Sequence, residues 1–355
     1  MPDIQPFLKE LISAPGLSGY EGPVAKIITE KWKPLLDELS QSKIGSLHGL
    51  RKGSGPAPRP SIMIATHMDA IGLMVTGIAE GGLLRFTDIG GVDPRILPGQ
   101  PVIVHGRQEL PGIVVQPSGR QLPPEIADSP VPMEHLFIDT GQLPRKVKDL
   151  IQVGDLASFA TEPVSLAGET LAGHTLDNRA SVVALTVCLE ELQNRSLAWD
   201  LWAVATVQEE TGLIGATTST YEIQPSLAIA VDVTFAKGPG ASDWDTYLLG
   251  KGPTLGWGPN VHPALYKAFK DLADKLEIPT AMEVMPRHSG TDGWVMQVTA
   301  EGIPTIVISV PLRYMHTPVE LVAIKDIQRV GRLMAEFIAG LTPDYMETIK
   351  WEAQP

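Results

Sequence analysis

Cysteine is almost absent: Cys188 is the only one among 355 residues, which excludes an intramolecular disulfide and any thiolate-only metal cluster. Its place inside an apolar helical run over residues 180–192 gives it a packing role, and so little cysteine fits a reducing cytoplasm. Basic residues are also outnumbered, 28 Lys and Arg against 41 Asp and Glu, for a net charge of −13. That balance argues against nucleic acid and anionic membranes as partners, since both favour basic patches. No apolar run approaches the ~18 residues of a spanning helix. Met1-Pro2-Asp3-Ile4 carries neither the basic start nor the apolar stretch of a secretory signal, so a cytoplasmic location is expected. A Walker-type phosphate loop and a His-Glu-x-x-His helix are missing as well. Otherwise the chain is 43% hydrophobic and 19% charged, an ordinary globular composition with enough length for about two domains.

What the chain does have is a scattered set of acidic and histidine motifs: His67-Met68-Asp69, Leu176-Asp177-Asn178-Arg179, Glu209-Glu210, Val231-Asp232 and Tyr314-Met315-His316-Thr317. Their setting matters more than their residue types. Residues 61–66 form a short apolar run ending at His67, and residues 201–207 form another ending just before Glu209. Residues 227–231 end at Asp232, and residues 305–309 lie a few positions before His316. Such runs predict strands buried on both faces of a sheet covered by helices, and in open α/β sheets ligands bind beyond the carboxyl ends of the strands.

Each motif alone has an ordinary reading. Asp177 precedes the helix expected over 180–192 and could simply cap it. Glu209-Glu210 could be a solvated loop, Asp232 could cap a turn, and either histidine could make a routine hydrogen bond. Taken together, two imidazoles and several carboxylates supply enough hard ligands for two metal ions sharing a bridging carboxylate, with zinc, cobalt or manganese suited to such N/O donors. Paired Glu209 and Glu210 match a division of labour in which one carboxylate binds metal and its neighbour moves a proton.

The texture changes between residues 71 and 166. Short strands are expected at 71–78, 83–86, 101–105, 112–116, 136–138 and 155–160, with turns at Glu80-Gly81-Gly82 and at residues 106–109. This describes a small β-barrel or sandwich inserted into an α/β domain formed by residues 1–70 and 167–355. Residues 121–132, rich in proline and acid, read as an exposed loop. Residues 263–276 and 320–341 read as amphipathic helices packing on the sheet, and residues 294–298 as a short helix capped by Thr291 or Asp292.

In order and spacing these motifs, with Ser289-Gly290-Thr291-Asp292-Gly293 and Pro311-Leu312-Arg313 added, resemble the TET-type, glutamyl-aminopeptidase-like family of dinuclear metallo-aminopeptidases, whose members are also labelled cellulase- or endoglucanase-like. The likeness spans essentially the whole chain. It implies a zinc-exopeptidase-like fold: a mixed sheet flanked by helices with an inserted β-barrel domain that mediates dimerisation and higher assembly, up to a tetrahedral dodecamer. It implies two divalent ions, zinc ahead of cobalt or manganese. His67, Asp177 and Asp232 would hold one ion, and Asp177, Glu210 and His316 the other. Glu209 would be the general base and Asp69 would orient His67. The substrates implied are short peptides. Ala70 and Thr317 depart from the family pattern, which has an acid after Asp69 and a serine after the last histidine. The same ligand set would serve a deacylase or dipeptidase, and a non-catalytic assembly protein on this fold is the alternative outside enzymology. Glycoside hydrolysis, which also uses paired carboxylates, leaves His67, His316 and Asp232 without a role. Arg179 and Arg313 are expected to neutralise the acidic site, to position ligands or to form structural salt bridges.

Overall fold

A computed structural model describes residues 3–351, apart from 56, 125, 127 and 128. Its centre is four adjacent parallel strands, in the order Asp200–Thr206, Ser61–His67, Leu227–Phe235 and Thr305–Arg313. These are the continuous apolar runs of the sequence, and almost every residue in them is buried, as strands covered on both faces require. The register sets Thr206 beside His67 and Asp232 beside Ser309, so the polar residues that follow each run emerge along one rim of the sheet.

Antiparallel strands extend both sides. Leu47–Arg51 and Glu38–Gln41 lie beyond Asp200–Thr206, while Glu320–Ala323, Thr170–Gly173 and Val164–Leu166 lie beyond Thr305–Arg313. Thr254–Trp257 also pairs with Thr305–Arg313, and Ala281–Val284 pairs in turn with it. Helices flank this mixed sheet. Leu176–Leu192 packs against Ile324–Ala339, with backbone approaching so closely at Gly331 that a Cβ there would stand 2.6 Å from the Ala184 carbonyl oxygen and from Val187 Cβ.

Two central strands are longer than their apolar runs suggest. Leu227–Phe235 continues through Asp232 instead of stopping at Val231, and Thr305–Arg313 runs four residues past Ser309. The helix expected from residue 320 begins at Ile324. Glu320–Ala323 forms a strand because all four residues are buried and pair with neighbours on both sides, a setting a helix period does not anticipate. The other expected helices appear as Pro263–Lys275 and Gly293–Gln297.

Six further strands close into a barrel in the order Gly72–Ile78, Leu84–Ile89, Phe137–Asp139, Glu109–Val115, Pro101–His105 and Leu156–Phe159. It has its own core, built on Leu73, Val75, Leu84, Val102, Val104, Val114 and Ile138, separate from the core of the large sheet. Glu109, expected in a turn, begins a barrel strand, and the helix Pro144–Leu150 was not legible in the sequence. Val164–Leu166, inside the expected insert, belongs to the large sheet. In the stretch read as an exposed loop, residues 125, 127 and 128 lie outside the described residues, and Leu122 and Val131 are buried in the barrel core. No helix among the described residues is long and apolar enough to cross a membrane. Cys188 is fully buried and burial pushes its thiol up, in keeping with a packing role.

Candidate metal centre

All five expected ligands and both expected catalytic residues meet at the rim of the central strands. His67 is the last residue of its strand, and Asp232 lies within the next. Asp177 stands where the backbone breaks from helical geometry, at φ −77° and ψ 107°, and the Asp177–Asn178 peptide is cis. It does not cap the helix: its N-cap, Thr175, makes no side-chain cap bond either. Glu209 and Glu210 occupy the turn after Asp200–Thr206, and His316 the turn after Thr305–Arg313.

The two oxygens of Asp177 face different imidazoles: Oδ1 is 3.2 Å from His67 Nε2, and Oδ2 is 3.5 Å from His316 Nε2. His67 Nε2 is also 3.7 Å from Asp232 Oδ1 and 3.9 Å from Glu209 Oε2, while His316 Nε2 is 3.3 Å from Glu210 Oε2. One potential donor atom from each of His67, Glu209 and Asp232, and likewise from His67, Asp177 and Glu210, falls within 4.8 Å of the others.

The far side of each ring decides which nitrogen is free. His67 Nδ1 lies 3.2 Å from the Asp69 carbonyl oxygen, and His316 Nδ1 lies 2.9 Å from the Gly91 carbonyl oxygen. A carbonyl only accepts, so each Nδ1 carries a proton and donates, which turns Nε2 toward the carboxylates, where it donates when protonated and offers its lone pair to a metal ion when not. Nε2 and the carboxylates need a positive charge between them, a proton or a metal ion, and a ligating histidine commonly donates its other N–H in this way. The residues therefore fit divalent ions bound through nitrogen and oxygen.

The electrostatics agree. Burial, with repulsion from Asp232, Asp292 and Glu210 added, pushes Glu209 up to about 10. Burial and the Asp177 charge push Glu210 up to about 8. Burial works to raise Asp177 too, but its bonds to both imidazoles hold it well below the usual carboxylate range. The bond to Asp177 carries His316 up to about 9. The cluster holds more negative charge than it can keep ionised without cations.

Asp69 contacts both His67 and the main chain of the neighbouring turn. Its carboxylate stands 3.5 Å from His67 Nδ1 and also accepts the backbone N–H groups of Glu209 at 3.1 Å and Glu210 at 3.2 Å. Glu320, which sequence reasoning passed over as a helix start, does the same for another pair, accepting the N–H groups of Asp177 and His316, each at 3.0 Å. Its only signal is an acid four residues after His316. Gly91, which brings the barrel to the site, has none, being 225 residues from its partner. A Cβ at Gly91 would stand 3.2 Å from His316 Nδ1.

Of the two arginines, Arg179 lies within reach of the site's acids, its charge interacting with those of Asp69, Glu320 and Glu21. Arg179 is wholly buried and donates to the carbonyls of Leu11, Ala14, Gly16 and Met68, tying the N-terminal segment beneath the His67 turn. Arg313 donates to the Lys237 carbonyl. Asp292 accepts from Thr206 Oγ1 at 2.6 Å, while Thr291 Oγ1 accepts from Gly293 N at 3.2 Å. The departures are local. The Ala70 carbonyl accepts from Ser18 N, and the Thr317 hydroxyl donates to the Tyr314 carbonyl, as a serine hydroxyl would.

A cavity of about 610 Å³ opens onto the cluster, lined by the ligands together with Thr234, Glu283, Met285, His288 and Trp294, among others. A mixed sheet flanked by helices, a six-stranded barrel and a rim of imidazoles and acids define a hydrolase of the peptidase class. The sequence profile for M42 glutamyl aminopeptidase matches residues 45–333. The chain is 35% identical to the lysyl aminopeptidase of Pyrococcus furiosus, over 95% of this chain and 97% of that one. Among solved structures it resembles aminopeptidase APDkam598 from the archaeon Desulfurococcus kamchatkensis, with a TM-score of 0.89 and 35% identity over 97% of each chain. It also resembles the Pyrococcus horikoshii TET1 peptidase, described as assembling into a tetrahedron or a large octahedral shell, with a TM-score of 0.81 and 30% identity over 94% of this chain and 98% of that one. The chain belongs to the M42 glutamyl aminopeptidase family.

Proposed function

We propose that this protein is a two-metal aminopeptidase that removes the first residue of short peptides. The observation that carries the reading is Asp177 presenting one oxygen to each imidazole, the arrangement of a bridging ligand. His67 and Asp232 complete one ligand set, and Glu210 and His316 the other. Two divalent ions held there supply Lewis-acid polarisation of a peptide carbonyl, acidification of water and a seat for the substrate's terminal amine. Zinc is the first candidate for both, with cobalt and manganese compatible.

Glu209 takes the proton from the attacking water and returns one to the leaving amine. Its side chain is 9% exposed at the cavity edge, close enough to His67 to act over the same centre. The upward push on its carboxyl comes from burial and neighbouring anions, and bound cations counter it, bringing a base of useful strength into play near neutrality. Asp69 and Glu320 fix the main chain at Glu209, Glu210, Asp177 and His316, which holds the spacing of these side chains. Family likeness to a TET peptidase supports a homo-oligomer built through the barrel, which sedimentation of the intact protein tests.

Glu209→Gln separates chemistry from binding. Its kcat should fall by roughly 10²–10⁴, the usual contribution of a general base, with metal content near normal. Substantial residual turnover would remove Glu209 from that role. Asp177→Ala should lose both ions together, and loss of one alone would make Asp177 a terminal ligand.

A further inference from the structure

Glu283 is a buried acid that the metal centre does not use. It sits on Ala281–Val284, where Met282 and Val284 turn outward, 42% and 63% exposed, while Glu283 turns toward the cavity. Thr234 Oγ1 donates to its Oε1 at 2.6 Å, and Thr254 Oγ1 donates to its Oε2 at 2.5 Å. These hydroxyl bonds favour the ionised form against burial, which pushes the carboxyl up. Among the described residues, no lysine, arginine or histidine forms an ion pair with it. His288, the other titratable group lining this part of the cavity, packs its ring beside Trp294 instead.

A carboxylate held inside a fold without a cation is costly, and its natural complement is a charge brought by the ligand. The spacing agrees. Thr234 lies two residues beyond Asp232 on the same strand face, roughly 7 Å along it, and Glu283 is hydrogen-bonded to Thr234. That separation matches an extended lysine side chain whose α-amine sits at the Asp232 end. Met285 and Trp294 line the same cavity and offer apolar walls for its methylenes.

Resting on the aminopeptidase reading, we propose that Glu283 is the specificity-determining residue of the pocket for the substrate's first side chain, selecting a cationic residue, lysine or arginine, by a charge-assisted hydrogen bond. Lysine and norleucine differ at the chain end by the ammonium alone, so their p-nitroanilides isolate this contact. The metal-loaded protein should favour lysine in kcat/KM by roughly tenfold or more, and Glu283→Gln should bring the ratio close to unity. A ratio within one preparation is independent of the folded fraction of the variant. Should the variant fail to fold, free L-lysine should still inhibit the native protein more strongly than L-norleucine.

Turnover of norleucine with no preference for lysine, a preference that survives Glu283→Gln, or equal inhibition by the two amino acids would overturn the pocket assignment and leave the aminopeptidase reading standing. Absence of metal-dependent turnover with any unblocked substrate would overturn that reading, and the assignment with it.

Discussion

At the scale of single residues the site rests on two buried carboxylates with matching tasks. Asp69 clamps the backbone of Glu209 and Glu210; Glu320 clamps that of Asp177 and His316. Each takes two main-chain N–H groups that would otherwise be buried without partners, at about 1–3 kcal/mol apiece. Glu320→Ala should therefore destabilise the protein by about 2–5 kcal/mol in denaturant unfolding and weaken metal retention on dialysis. Stability and metal content both unchanged would mean that the two N–H groups find other acceptors. The residues proposed to bear the chemistry were legible because each follows an apolar run or opens a helix. The clamps were not, since nothing in Glu320 itself distinguishes a helix start from a main-chain acceptor. Asp69 was found, but its stronger partners were main-chain groups that carry no sequence signature.

At the scale of elements, the period of the apolar pattern located the central strands and the long helices, while their ends were set by tertiary pairing. Leu227–Phe235 runs on through Asp232 because Val233 and Phe235 pair with Val310 and Leu312. Glu320–Ala323 is a strand because two neighbours claim its backbone. The close helix pair Leu176–Leu192 and Ile324–Ala339 depends on Gly331. Gly331→Ala would push a methyl into the Ala184 carbonyl and Val187, and should lower stability by about 1–3 kcal/mol despite alanine's better helix propensity. Since Asp177 is the second residue of Leu176–Leu192, thermal unfolding of metal-loaded and chelated forms would report whether the displacement reaches the site. A neutral or stabilising effect would show that the pair can separate freely.

At the scale of the molecule, the inserted barrel completes the site through the Gly91 carbonyl on His316, a contact between segments far apart in sequence and so invisible to any local pattern. The acid cluster also ties overall stability to metal and pH. Glu209 is raised to about 10, Glu210 to about 8 and Asp292 to about 7, all above ordinary carboxylate values. Groups raised in the fold contribute stability that is full below their unfolded values and lost as pH rises through the folded ones. His316, raised to about 9, acts in the same direction. Without metal the protein should lose melting temperature between about pH 6 and about pH 9, and bound cations should suppress that loss. The gap between metal-loaded and chelated melting temperatures should then widen with pH; a gap that stays constant or narrows would mean that the cluster is not where the metal acts.

The most direct test of the central claim is hydrolysis of a panel of free and N-acetylated short peptides by metal-loaded protein, with a chelated control. Metal-dependent release of the first residue from free peptides, with acetylated ones untouched, is the predicted result. Cleavage of the acetylated peptides, or turnover that survives chelation, would contradict it.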